Sequence, residues 1–250
     1  MIQLKEKWIE NIVKGLCVIL IIISFLSLLK IVTATPTGPV ITVVSNTTML
    51  PIMTNRSQDT KGTITTVTLS SLQQDYKWKA YVGNVSGKLT LSGANTKAIY
   101  DWSLGSITGK VFATRSNSVS WTNVACVNQT TIDSEEAAFG TTSSMSDSIN
   151  LTFKNTAHKG FLVGTVNITN STCRSTATYI NGTPQTVNET ATFQEILLRD
   201  TTTSSLVYTS LINSQQPGYD GIGNYDFQLI LAENESSNTP STYYFYVELG

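Results

Sequence analysis

Short runs of apolar and β-branched residues alternate along most of this chain with clusters of Gly, Asn, Asp and Ser. Such runs are typical of β-strands, and the clusters between them favour turns. Only residues 133–139 have a helical composition, with Asp133 or Ser134 as the expected N-cap. The pattern predicts an all-β chain with strands at 39–45, 63–70, 78–83, 87–92, 98–103, 107–114, 149–153, 161–168, 176–180, 192–198, 206–212, 225–232 and 242–249.

Two segments near the C-terminus indicate how the strands pack. In residues 225–232 apolar and polar residues alternate, so one face is expected to pack inward and the other, which carries Gln228, to face mostly outward. Residues 242–249 are apolar on both faces up to Val247, which predicts a strand in the middle of a sheet. We therefore expect an antiparallel β-sandwich, Ig-like or jelly-roll-like, over residues 76–250.

Residues 1–34 have the character of an export signal, because lysines precede a long uncharged apolar run. Small residues before Ala34 predict cleavage between Ala34 and Thr35. Two alternatives stay open: an uncleaved hydrophobic helix that spans the membrane at residues 16–32, and a type IV pilin-like leader cleaved after Gly15. Each alternative places the rest of the chain outside the cytoplasm, and any membrane attachment is expected through residues 16–32.

N-glycosylation motifs are about twice as frequent as the Ser and Thr content predicts, and none has Pro in its middle position. We expect many of them to carry N-linked glycans. Residues 85–127 contain no such motif and are a candidate contact surface. The motifs begin at Asn46, Asn55, Asn84, Asn128, Asn150, Asn167, Asn170, Asn181, Asn188 and Asn234.

Cysteine usage agrees with export. Cys126 and Cys173 are the only cysteines outside the leader, and an oxidising compartment predicts a disulfide between them. The alternative is a pair of buried thiols. Together with His158, the single histidine, these cysteines fall one short of the four ligands of a structural zinc site.

Charge and catalytic motifs exclude several function classes. The 16 basic and 17 acidic residues nearly cancel, so no basic field for nucleic acid is expected. A hydrolase base would have to be His158, which we expect at the surface. Glu135 and Glu136 are neighbours on the predicted helix and point apart. We therefore predict that the chain is not an enzyme and has no cofactor.

Two weaker binding signals have simpler explanations. Asp220, Asn224 and Asp226 offer oxygen ligands of the kind that Ca²⁺ uses, but a plain turn before residues 225–232 is the favoured explanation. Aromatic residues could line a sugar-binding platform, but core packing is the expected role. These aromatic residues are Trp78, Tyr81, Tyr100, Trp102, Trp121 and the run 243–246.

Residues 35–75 differ from the rest of the chain and are predicted to form an extended arm. They contain three prolines and no aromatic residue, yet 39–45 is strongly strand-like. An exposed β segment is a liability unless it pairs. Either it forms the first strand of its own domain, or it is a donor strand that inserts into the next subunit.

Several segments resemble uncharacterised exported surface proteins of archaea: KAYVGNVSGKLTLS, IYDWSLGSITGKVFATRSNSVSWTNVAC and TYYFYVELG. The resemblance covers about residues 77–250 and implies a densely glycosylated, β-structured protein of a pilus, thread or surface layer, with no catalytic residue to transfer. We predict a non-enzymatic extracellular glycoprotein that self-assembles into a filament or layer. The alternative is a membrane-tethered adhesion module that binds a glycan or another surface protein through residues 87–126.

Overall fold

A six-stranded antiparallel sheet lies at the centre of this computed structural model, which describes residues 35–50, 62, 64–104, 106–234 and 240–250. The prediction of an all-β chain is confirmed. The strands are β1 (Trp78–Gly83), β2 (Lys88–Ser92), β3 (Ala98–Ser103), β4 (Gly109–Thr114), β5 (Val124–Cys126), β6 (Phe161–Val163), β7 (Val166–Ile168), β8 (Ser175–Ala177), β9 (Gln194–Asp200), β10 (Leu206–Leu211), β11 (Gln216–Pro217), β12 (Asn224–Tyr225), β13 (Phe227–Ala232) and β14 (Tyr244–Leu249). The helical elements are a 3-10 turn (Trp121–Asn123), α1 (Gln129–Ala138) and α2 (Ile149–Thr152).

The central sheet joins strands that are far apart in sequence. Its order is β14-β4-β10-β9-β5, and β8 also pairs with β9. The other strands form antiparallel pairs: β1 with β13, β2 with β3, β6 with β7, and β11 with β12. The predictions for residues 1–34, including the leader and its cleavage after Ala34, and the motif at Asn55 lie outside the described residues.

Both faces of the central sheet are buried. Successive residues of a strand point to opposite faces, and in β9 Leu197 belongs to one buried cluster while Ile196 and Leu198 belong to another. Residues of β1, β13, α1 and α2 cover the first face, and residues of β6, β7 and the 3-10 turn cover the second. For this reason β4, β9 and β10 consist almost entirely of buried residues.

The position of β14 differs from the prediction. The strand lies at the end of the sheet and pairs with β4 on one side, so the expected place in the middle is wrong. Its two apolar faces follow from the two cores: Phe245 packs against the first cluster and Tyr246 against the second. On its outer edge, Thr37 forms an isolated bridge to Val247.

Several other strand predictions are wrong for local reasons. Residues 149–153 contain α2, because the Ser148 hydroxyl accepts the N–H of Leu151 (3.1 Å) and caps a helical turn. Residues 161–168 form the β6–β7 hairpin, which turns at Gly164 (φ 55°). The described parts of 39–45 and 63–70 contain no strand, whereas the short strand β5 was not predicted.

Helix α1 begins earlier than expected. Its N-cap is Asn128, whose Oδ1 accepts the N–H of Thr131 (3.0 Å), so the prediction of Asp133 or Ser134 is wrong. The outward face predicted for β13 is also wrong at Gln228, which is 2% exposed. The side-chain amide of Gln228 donates to the carbonyl of Tyr179 (2.9 Å), which lies in the segment that follows β8.

Cys126 and Cys173 form a disulfide with a Cα–Cα distance of 4.9 Å, in agreement with the sequence. Strands β5 and β8 pair with the same edge of β9, one after the other. The disulfide joins the chain where these two short strands meet. It therefore closes that edge of the central sheet with two segments that lie far apart in sequence.

Replacing both cysteines by serine (C126S/C173S) should lower the free energy of unfolding by about 4 kcal/mol, because the cross-link closes a loop with a sequence separation of 47 residues. Chemical denaturation of the oxidised wild-type and variant chains measures the difference. Reducing the wild-type chain should bring its midpoint to that of the variant, and an unchanged midpoint would contradict the prediction.

The edge of β13 that faces the central sheet is capped by buried polar side chains. Glu195 of β9 is fully buried, and its Oε2 accepts the N–H of Ile230 (2.9 Å). Ser210 of β10 donates its hydroxyl to the carbonyl of Gln228 (2.9 Å). Burial raises the pKa of Glu195 well above its ordinary value, and the bond from Ile230 opposes this only in part. Glu195 Oε1 has no hydrogen-bond partner among the described residues.

Glu195 should make the protein less stable as the pH rises. The folded chain keeps the Glu195 proton at pH values where the unfolded chain has lost it. The contribution of Glu195 to the free energy of unfolding is therefore fully present below the unfolded pKa, near 4.5, and is lost as the pH rises through the folded pKa. Glu195→Gln should flatten this decrease and raise the free energy of unfolding at pH 7, as measured by denaturant unfolding across pH.

The matched control is Glu189→Gln. Glu189 is exposed, and its pKa is lowered by hydrogen bonds from Asn170 and Ser171. This substitution should not raise stability at pH 7. Equal behaviour of the two variants would contradict the assignment to Glu195.

Candidate functional site

Among the described residues, the backbone of the N-terminal arm pairs with the central sheet at Thr37, next to the buried Pro36. The N–H of Thr37 donates to the carbonyl of Val247 (2.9 Å), and the N–H of Val247 donates back to the carbonyl of Thr37 (2.7 Å). This is a hydrogen-bonded pair of an antiparallel ladder, in which the next such pair lies two residues further along. In this register Pro39 would face Phe245.

Pro39 explains why the ladder stops. Proline has no N–H to donate, so it cannot form the pair opposite Phe245. Pro36 does not interfere, because in the same register its nitrogen points away from β14. The arm is thus fixed to the sheet at Thr37, and the strand-like segment that follows Pro39 is kept off the sheet edge of its own chain.

The segment after Pro39 is apolar and exposed. Val40 is 97% exposed and Val44 is 95% exposed, and Ile41 and Val43 also lie at the surface. No regular secondary structure occurs in the described residues from Gly38 to Leu50. The prediction that 39–45 forms the first strand of its own domain is therefore wrong in this structure.

The hairpin β2–β3 projects from the domain. Every residue of both strands is exposed, and among the described residues the two strands pair only with each other. Its register places Leu89 opposite Trp102 and Leu91 opposite Tyr100, so these four side chains share one face, which we call the hairpin face. The rings of Tyr100 and Trp102 lie 5.0 Å apart.

The opposite side of the hairpin is more polar. Lys88 forms an ion pair with Asp101 (2.8 Å), and Thr90 lies beside them, although Ile99 is also exposed there. A lone two-stranded hairpin is marginally stable in water. An uncovered apolar face on such a hairpin is typical of a surface that binds a partner.

The bridge at Thr37 starts the arm in the direction away from the end of β14 where the hairpin is rooted. The hairpin is rooted at Leu249, because Gly87, just before β2, packs against the Leu249 side chain, and Gly109, after β3, pairs with the Leu249 backbone. The arm runs antiparallel to β14, so from Thr37 it leads away from Leu249 and towards Tyr244. One chain therefore presents two exposed apolar elements at separate places.

The described glycosylation motifs are accessible. None of their asparagines is buried, and Asn150 and Asn234 are partly exposed. The hairpin lies in the stretch without motifs, between Asn84 and Asn128. The exposed asparagines are Asn46, Asn84, Asn128, Asn167, Asn170, Asn181 and Asn188.

Most of the aromatic candidates pack in the cores. Trp78 contacts Phe153, Tyr81 contacts Phe245, Trp121 contacts Phe112 and Tyr246, and Tyr243 contacts Tyr208. Tyr100 and Trp102 are exceptions, at 60% and 49% exposed, and Tyr244 is also exposed, at 40%. Of the predicted platform residues, Tyr100 and Trp102 therefore remain a surface pair.

His158 is fully buried, so its predicted surface position is wrong. Its Nδ1 lies 2.9 Å from the carbonyl of Lys159, and its Nε2 accepts the N–H of Cys173 (2.9 Å) and of Thr172 (3.2 Å). Both ring nitrogens thus bind backbone groups, and the two N–H groups on Nε2 belong to Cys173 of the disulfide and to its neighbour Thr172. The arrangement leaves neither of them to activate a nucleophile.

The two neighbouring glutamates also hold structural contacts. Glu135 forms a bidentate pair with Arg115 (2.7 Å for both bonds). Glu136 accepts the N–H of Asn150 (2.8 Å) and the hydroxyl of Ser143 (2.5 Å). Each carboxylate therefore fixes α1 to a different neighbour.

The candidate calcium loop is held by its own backbone. Asp220 accepts the N–H groups of Ile222 (3.0 Å) and Gly223 (3.2 Å), as in a plain turn. Asp226 accepts the N–H groups of Gln215 and Val85 (both 2.8 Å). Within the described ranges, no group of three or more His, Cys, Asp or Glu side chains is arranged to bind a metal ion.

Comparison with protein-family models, with curated proteins and with solved structures gives no match for this chain. Searching the described part of the chain for a helix long and apolar enough to cross a membrane also finds none.

Proposed function

We propose that this chain is a non-enzymatic, exported, N-glycosylated structural protein of the cell surface, which self-assembles into a filament or layer through its N-terminal arm. The observation that carries the proposal is the exposed apolar segment 40–44, which Pro39 keeps off the chain's own sheet. We also propose that the domain is a β-sandwich, in which the β1–β13 pair is the layer that packs over the central sheet.

An unpaired apolar β segment needs a partner. Its main chain offers a row of N–H and C=O groups, and its side chains are strand formers, so it is a template for pairing with another chain. Pairing within the chain would require a hydrogen bond from Pro39, which proline cannot donate. Pairing between chains has no such obstacle, since it can begin after Pro39.

Glycosylation supports an extracellular role. The accessible motifs are spread over the described surface, and charged residues make up only 13% of the sequence. Sugars would then supply the solubility that charges supply in other proteins. The leader is the basis for export in this proposal.

The arm variant V40S/I41T/V43S/V44S should fold normally and remain monomeric, because these side chains are exposed in the isolated chain. The full-length chain is produced in a host that exports and N-glycosylates it. Negative-stain microscopy and light scattering then measure polymer formation.

The matched control for the arm variant is I64T/V67S/L69S/L72S, which alters four other exposed apolar residues in an unpaired segment. This control should polymerise as the wild type does. Polymers formed by the arm variant would contradict the proposal, as would a wild-type chain that stays monomeric.

Pro39→Val should strengthen pairing within the chain, because it restores the N–H that faces Phe245. We expect greater protection of the amides at 39–43 in hydrogen exchange, a larger monomer fraction and less polymer. Pro36→Val is the control for the backbone N–H, since its nitrogen points away from β14 and it should change neither property; because Pro36 is buried, its thermal midpoint is compared with that of the wild type. Equal exchange in both variants would contradict the role of Pro39.

The alternative function is a membrane-tethered module that binds a glycan or a surface protein through residues 87–126. The exposed pair of Tyr100 and Trp102 favours it, because aromatic rings can stack on sugars. Negative-stain microscopy of shed surface material, with the chain identified by mass spectrometry, separates the two functions. Polymer that contains the chain supports assembly, a membrane-retained monomer supports the module, and the spectra identify the mature N-terminus as Met1, Leu16 or Thr35.

A further inference from the structure

We infer that the β2–β3 hairpin of one copy is the acceptor for arm segment 40–45 of a second copy. The arm adds as a third strand beside the hairpin, and its alternate side chains extend the hairpin face. This inference rests on the proposed self-assembly. It names the surface to which the arm binds.

The two surfaces match in chemistry and in length. The hairpin face consists of Leu89, Leu91, Tyr100 and Trp102, and the arm segment 40–45 contains no charged residue. Strand β2 has five residues and β3 has six, close to the length of the segment. A third strand also supplies what a lone hairpin lacks, because three strands with an apolar face can be stable where two are not.

The outer edge of β14 is a poorer acceptor. Thr37 of the same chain already occupies it at Val247, in the middle of the outward-facing hydrogen-bonding positions. The hairpin has no such occupant: neither of its outer edges pairs with a strand in the described chain. It is therefore open along its full length.

The direction of the arm makes the contact intermolecular. The pair between Thr37 and Val247 directs the arm towards Tyr244, whereas the hairpin of the same chain is rooted at Leu249. Val40 lies roughly 10 Å further along the chain from Thr37 if the arm stays extended. The hairpin that the arm meets is that of a neighbouring copy.

Donor and acceptor are different surfaces, so the contact is heterologous. Each copy that receives an arm still presents its own arm to the next copy. Such head-to-tail contacts make open filaments unless the rotation closes a ring. The geometry thus favours a filament over a closed dimer.

Glycosylation motifs border both surfaces and interrupt neither. Asn46 follows the arm segment directly, and Asn84 and Asn128 flank the stretch that contains the hairpin. Sugars at these positions would leave the residues that pair, in the arm and in the hairpin, without attached glycans. They would also cover the surface beside the contact, which limits lateral association of the apolar elements.

The test uses the full-length exported chain with the hairpin variant L91S/W102S. Trp is a typical hot-spot residue, so losing Trp102 with its neighbour should reduce polymer by roughly tenfold or more at equal concentration. The variant should keep the wild-type thermal midpoint and disulfide, because neither side chain belongs to a core cluster. The matched control T90S/I99S alters the opposite side of the hairpin and should polymerise normally.

Mixing the arm variant with the hairpin variant tests whether the arm of one copy binds the hairpin of another directly. The arm variant retains an acceptor hairpin and the hairpin variant retains a donor arm, so each should be monomeric alone and the mixture should form only 1:1 dimers. Mass photometry measures these species. Monomers in the mixture would overturn the inference.

The outcomes also separate this inference from the proposed function. If wild type and the hairpin variant both polymerise while the arm variant does not, the arm assembles on another acceptor: the inference fails and the proposed function stands. If the wild type never polymerises, both fail.

Discussion

The central sheet buries side chains on both of its faces, and the rest of the domain is arranged to make this stable. A sheet with one core can leave its second face to water, but here α1, α2 and the β1–β13 pair cover one side and the β6–β7 hairpin covers the other. Polar groups trapped between these layers need partners. Glu195 and Ser210 provide them at the edge of β13, and Lys110 donates to the carbonyl of Leu162 (2.7 Å) beside Glu248.

This layering determines which parts of the central sheet another molecule can reach. Both faces of the sheet are filled, and the disulfide and β8 close the edge of β9. The described apolar surfaces that remain exposed include the arm after Pro39 and the hairpin face. Neither belongs to a core cluster, so each can form or lose a contact without unfolding the domain.

The sequence predicted the strands whose surroundings match their own pattern. Strands β1 and β3 lie at the predicted positions, and β10 and β14 differ only at their ends. Pattern alone could not place β14, because two apolar faces indicate two covered faces and not a central position. Residues 149–153 have β-branched and aromatic members, but the Ser148 cap outweighs that preference.

The candidate site was predictable in parts. Composition marked the arm at 35–75, and missing glycosylation motifs marked 85–127. Apolarity at 39–45 indicated a strand. In our argument this segment does not pair within its own chain because Pro39 lacks an N–H. The register on which that argument depends comes only from the Thr37 bridge and not from the sequence. The burial of His158 depends on a contact with Cys173 that no local pattern contains.

An exposed apolar arm together with an exposed apolar hairpin would normally make a chain prone to aggregation. Three features of this chain oppose that outcome. The arm leads away from its own hairpin, the hairpin carries the ion pair of Lys88 and Asp101 on its other side, and accessible asparagines border both elements. Each feature restricts which surfaces can meet without lowering the apolar character of the arm segment or of the hairpin face. Apolar surface that is both retained and confined in this way is what the proposed ordered assembly requires.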